Sequence, residues 1–218
     1  MKLRLLSLLL LAPFVASAQS LREQGGSIAQ LVPAGWSHDE AQGDLNGDGL
    51  TDLVVLATPD FKENMKTRED GYVYNFNQPI LAIYFGSPSD TYKLWRQYKE
   101  TIPGQDNEYT FNDHVIKITP RGTLTIGLSV FSSAGSYDTG STTYTFRYQN
   151  GDFFLIGMDE EEFSRNSGER TERSYNYLTG RKQVIVSNEF DERVKPKETW
   201  TRFAKQPLER LGSSELQP

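Results

Sequence analysis

The chain has no cysteine among its 218 residues and only two histidines. The first absence excludes disulfides, thiolate metal sites, a cysteine nucleophile and a lipid-anchored start together. The second leaves His38 and His114 as the only imidazoles. They do not form a His-x-x-x-His spacing, so both read as surface or strand-end residues and not as a zinc site or a catalytic base. Long apolar runs are missing after the first 18 residues, and an excess of positive charge is missing everywhere.

Those first residues read as a secretory signal. Lys2 and Arg4 open it, residues 5–15 form its apolar core, and Ala16-Ser17-Ala18 gives a small-residue cleavage site before Gln19. The core falls short of the roughly 20 residues a membrane span needs. The expected product is therefore soluble and exported, periplasmic or secreted, with no membrane span. Losing Lys2 and Arg4 takes the 23 basic residues to 21 against 29 acidic ones, so the formal charge goes from −6 to −8. A chain of that sign does not hold a phosphate backbone, and nucleic acid is excluded as a partner.

What is present is concentrated in Gly43-Asp44-Leu45-Asn46-Gly47-Asp48-Gly49-Leu50-Thr51-Asp52. Oxygen-bearing side chains stand at alternate positions and a glycine stands where the chain must turn. Calcium takes six to eight oxygens, which such loops supply from positions 1, 3 and 5, a carbonyl at 7 and position 9, with Gly at 6. Those positions are Asp44, Asn46, Asp48, the Leu50 carbonyl, Asp52 and Gly49, so the predicted metal site is Asp44, Asn46, Asp48, Leu50 and Asp52, with Ca2+ as cofactor. An ordinary Asn/Asp/Gly turn uses the same residue types but needs two or three of them, not five in register. A helix-loop-helix calcium site needs Glu at position 12, where Val55 stands, and residues 53–57 form a short apolar run that reads as a buried strand.

Asp-x-Asn-x-Asp-Gly-x-x-Asp running into an apolar strand resembles the FG-GAP/VCBS repeats of integrin-like propellers and bacterial surface proteins. Residues 80–86 and 90–94 look like the next two strands of such a unit, so the resemblance covers about 42–95. Propellers need about four or more blades, and the loop motif occurs once, so a closed propeller is excluded. Residues 131–136 and 144–157 are similar to a group of bacterial exported proteins with a single such loop; that similarity implies a location and a metal, not an activity.

Elsewhere the period is two. Leu124, Ile126, Leu128 and Val130 alternate with polar residues, the pattern of a half-buried antiparallel strand. Tyr144, Phe146 and Tyr148 share a face of the next strand, and Asn150-Gly151 predicts a two-residue hairpin turn to residues 153–157. A second hairpin is predicted from 175–177 to 182–186 through Leu178-Thr179-Gly180, with a last strand at 200–203. A short helix fits Ile28, Leu31 and Val32 after Ser27. About ten strands indicate a mainly β fold of antiparallel sheets, a sandwich or a strongly bent sheet, with one propeller-blade-like unit as a variant and a minor helix near the N-terminus. The domain plan is a signal peptide at 1–18, one β-rich domain at 19–211 and a flexible tail at 212–218. Residues 58–78 read as a mobile insertion, and 103–107 as the alternative place for a boundary.

No catalytic residue is assigned. Ser132, Ser133 and Ser136 surround Ala134-Gly135, but a nucleophile elbow needs Gly-x-Ser-x-Gly between strand and helix. Asp159-Glu160-Glu161-Glu162 reads as one exposed turn of ionised carboxylates, with a weak second cation site as the lesser option, since a glycosidase needs two acids facing across a cleft. Two functions remain open. The first is an exported calcium-binding β-protein acting as a binding or interaction module toward a cell-envelope glycan or protein. The second is a hydrolase of glycans or peptides, with the 132–141 loop and Asp138 as its place.

Overall fold

The computed structural model describes residues 20–218 apart from Ala134; the signal segment lies outside the described residues. Fourteen strands, all paired antiparallel, are described, with one helical turn α1 (Ile28–Leu31) and one 3-10 turn. One sheet has the order β1 (Gln24–Gly25), β7 (Tyr92–Tyr98), β6 (Ile80–Gly86), β3 (Asp52–Thr58), β2 (Ser37–Gly43). The second is a meander of seven strands, β8 (Thr110–Ile118), β9 (Thr123–Ser132), β10 (Asp138–Gln149), β11 (Asp152–Ser164), β12 (Glu169–Asn176), β13 (Arg181–Asn188) and β14 (Lys197–Arg202), which curls into a half-barrel.

Burial explains the two kinds of strand pattern. In β3 and β6 one set of alternating side chains, Val54, Leu56, Leu81 and Ile83, packs toward the seven-stranded sheet with Leu124, Ile126, Leu128 and Phe146. The other set, Leu53, Val55, Ala57, Ile80, Ala82 and Tyr84, packs under the N-terminal segment with Leu31, Val32 and Trp36. Strands covered on both faces must be apolar throughout, which is why 53–57 and 80–84 read as continuous runs. β9 is covered on one face and alternates. Trp95, Tyr148 and Phe153 join the sheets, with ring centroids 5.1–5.8 Å apart, and Arg96 of β7 reaches Asp152 of β11 at 3.2 Å.

The Asn150-Gly151 hairpin forms as the turn chemistry requires, with φ of 51° and 78°. Three expectations are corrected. Residues 58–78, expected as a mobile insertion, carry a hairpin of β4 (Met65–Thr67) and β5 (Val73–Asn75) with Tyr74 buried, held by Asn75 donating to the Pro59 carbonyl and Asn77 to that of Phe61. The acid run is not a turn but the middle of β11, and Glu161 and Glu162 pair with Arg170 and Arg173 of β12 at 2.9 and 3.0 Å. The 212–218 tail is docked: Leu216 is buried in the main core, its N–H donates to the Thr101 carbonyl, and the Tyr144 hydroxyl donates to the Gln217 carbonyl at 2.8 Å. It follows residues 209–211, which take the pairing positions on β11 that β12 leaves free, with Leu155 N–H donating to Glu209 and Leu211 N–H to Phe153.

Candidate functional site

The 44–52 loop joins β2 to β3, and its own side chains fold it. The two Asp44 carboxylate oxygens accept the N–H groups of Gly47 and Gly49 at 2.7 and 2.9 Å. Asn46 accepts from the Asp48 N–H and Asp48 from the Leu50 N–H, at 2.9 and 2.8 Å. Each short polar side chain closes a turn two or more residues ahead. Gly49 at φ 83° supplies the left-handed conformation the bend needs.

Asp52 behaves differently from the other four. Its carboxylate is fully buried, with one oxygen accepting the Leu45 N–H at 2.8 Å and the other the Gly86 N–H at 2.9 Å. Burial pushes its pKa above the usual aspartate value; those backbone bonds pull the other way and the nearby Asp48 charge adds to the rise. Asp52 thus pins the start of the loop and the end of β6 to one point. The opposite side of the loop touches the other sheet. A methyl group on Gly122, in the turn between β8 and β9, would stand 2.6 Å from the Asp44 carbonyl oxygen, and one on Gly43 would stand 2.6 Å from Ile118. The loop therefore sits at the seam of both sheets, beside a cleft that Arg121 and Arg147 also line.

As a donor set for calcium, Asp44, Asn46 and Asp48 offer side-chain oxygens on an exposed loop and Leu50 a carbonyl. Each carboxylate oxygen accepting one N–H keeps a second lone pair, Asp52 included. Among the described residues no three His, Cys, Asp or Glu side chains stand together as a ready-made metal cluster. The residue types fit a calcium loop; a bound ion would have to draw the carboxylates together from the turns they now close.

Of the places considered for hydrolysis, the 132–141 loop is held by structural contacts. Arg165 of the segment after β11 donates to the carbonyls of Ser132, Ser136 and Tyr137 at 2.9–3.1 Å and lies 4.5 Å from the centre of the Phe131 ring. That clamp closes the β9–β10 hairpin, and no local sequence signal links Arg165 to it. Asp138 is exposed at the start of β10. His38 is exposed on β2, and the His114 Nε2 lies 2.9 Å from the Pro103 carbonyl oxygen, with burial pushing its pKa below 6.5.

A second concave site is invisible in any one sequence window. A cleft of about 340 Å³ lies between Tyr144, Met158 and Tyr177 of the curled sheet and its β12–β13 turn, and the chain from Phe203 to Leu216.

A family model described as the FG-GAP repeat matches residues 39–76. The match covers β2, the loop, β3 and the small β4–β5 hairpin, consistent with a single FG-GAP-like repeat; it stops before β6 and β7, the two further strands expected in the unit. No curated protein and no solved structure matches the chain. Among the described residues no helix is long and apolar enough to cross a membrane.

Proposed function

We propose that the protein is an exported interaction module, acting on a cell-envelope glycan or protein, in which the 44–52 loop holds calcium as a clamp between the two sheets. The supporting observation is the position of the loop: Asp52 ties it to Gly86 of the five-stranded sheet, and the Asp44 carbonyl abuts Gly122 of the seven-stranded one. The match to the FG-GAP repeat supports a β-rich interaction role. Asp44, Asn46, Asp48, Asp52 and the Leu50 carbonyl would hold the ion, which supplies positive charge between carboxylates that otherwise repel. Export rests on the signal pattern of residues 1–18.

The test is thermal unfolding in calcium, in chelator, and for Asp48→Ala. Binding to the folded form alone adds about 2.7 kcal/mol at a hundredfold excess over Kd, about 5–10 °C in Tm for a chain of this size. Magnesium should give less, since it holds its waters and demands an octahedral shell. Equal midpoints in all conditions, with no calcium heat by calorimetry, would refute the clamp.

A further inference from the structure

We propose that the cleft between the curled sheet and the C-terminal segment binds a small organic ammonium ion carrying an apolar or aromatic body. The site shares no residue with the 44–52 loop, and the inference does not rest on calcium. Its volume of about 340 Å³ falls in the range of small-ligand sites, roughly 300–1,000 Å³.

The lining has two parts. One is aromatic and apolar: Tyr144, Met158, Tyr177 and Phe203 face the space, and the Tyr177 and Phe203 rings stand 5.9 Å apart at 69°. Aromatic faces attract cations through their quadrupole, more strongly where water is excluded. The other part is acidic. Glu209 and Glu215 stand in the lining, and among the described residues neither forms an ion pair. Arg210, which also borders the cleft, is drawn away: its guanidinium lies 3.7 Å from the Asp152 carboxylate and 5.7 Å from the centre of the Phe154 ring.

The polar groups inside support the same chemistry. Tyr144 spends its hydroxyl on Gln217, donating to the carbonyl and accepting the N–H at 3.1 Å. The Tyr177 hydroxyl has the Met158 sulfur at 3.8 Å, a weak acceptor. Burial, followed by the charges of Tyr175, Glu160 and Glu209, pushes Tyr177 up to about 12, so its ring stays uncharged at neutral pH. The same aromatic group already hosts an ammonium from outside the cleft: Lys182 Nζ lies 4.6 Å from the centre of Tyr175, which stacks on Tyr177. An anion meets Glu209 and Glu215 and is repelled. A neutral molecule gains the apolar contact alone, whereas an ammonium with an apolar body gains both.

Three probes of nearly equal size decide it: phenethylammonium, 2-phenylethanol and phenylacetate, titrated into the full-length mature protein in calcium buffer and followed by amide NMR shifts. Saturable binding of phenethylammonium is expected at least about tenfold tighter than 2-phenylethanol, with phenylacetate not binding, the scale of a partly desolvated cation–π contact reinforced by carboxylates. The double substitution Glu209→Gln and Glu215→Gln, on exposed residues, should cut the preference by at least about threefold, leave the alcohol unchanged and keep the remainder that the rings supply. Tyr177→Leu should weaken the cation more than the alcohol. Equal affinity for cation and alcohol, no saturation by the cation, or a preference unchanged by the double substitution would each overturn the proposal; the Gln pair decides even where Tyr177→Leu does not fold.

Discussion

Asp52→Asn separates the structural use of the loop's last acid from its use as a metal ligand. The native carboxylate is fully buried and accepts two backbone N–H groups, from Leu45 and Gly86. An amide in the same place keeps one acceptor and turns an NH2 toward the other N–H. That donor loses its partner, at about 1–3 kcal/mol, and the surviving bond loses its charge assistance, about 1 kcal/mol more. Against this, the amide removes a buried charge, which burial and Asp48 both disfavour. The expected balance is a loss of about 2 kcal/mol in chelator at neutral pH. Because the folded pKa is raised, the folded state holds the Asp52 proton more tightly than the unfolded chain. The contribution of Asp52 is therefore full below the unfolded value of 3.8 and declines as pH rises through the folded value. The gap between wild type and Asp52→Asn should be largest in acid and narrow toward neutrality, measured by urea unfolding across pH in chelator. Equal stability at every pH, or a gap that widens as pH rises, would refute this account. With calcium added, Asp52→Asn should gain less than wild type if the carboxylate is also a ligand.

Gly86→Ala puts a methyl group 2.2 Å from the Thr51 carbonyl oxygen, a backbone atom that cannot turn away, whereas Gly43→Ala meets the Ile118 methyl at 2.6 Å. Urea unfolding should show about 3 kcal/mol or more lost for the first and about 1–2 kcal/mol for the second; no loss for Gly43→Ala would contradict the seam. Leu216→Ala should cost about 2–3 kcal/mol by the same assay, because the side chain is buried in the main core, while a free tail would show no change. Gly151→Ala, at φ 78° with open space around it, should cost only the left-handed backbone penalty, about 1 kcal/mol, read as a small drop in Tm.

The alternation of Leu124, Ile126 and Leu128 and the Asn150-Gly151 turn determined β9 and the β10–β11 hairpin, because side-chain period and turn φ are properties of a few neighbouring residues. The apolar run at 53–57 likewise announced a buried strand, and the structure covers it and 80–84 on both faces. The spacing of Asp44, Asn46 and Asp48 marked the loop and its turns. What sequence could not decide was the partner of each group. Asp52 has the spacing of a ligand, yet its buried hydrogen bonds depend on Gly86, 34 residues away. The acids at 159–162 look like an exposed turn until β12 brings Arg170 and Arg173 beside them. Polar, Gly- and Ser-containing residues 212–218 carry the composition of a loose end, but Thr101 and Tyr144, 73 residues from Gln217, hold them down. Local pattern sets which face of an element is apolar. Which distant donor, acid or ring meets that face is settled only when chain closure brings it there, and the seam at the loop and the aromatic cleft both exist only at that level.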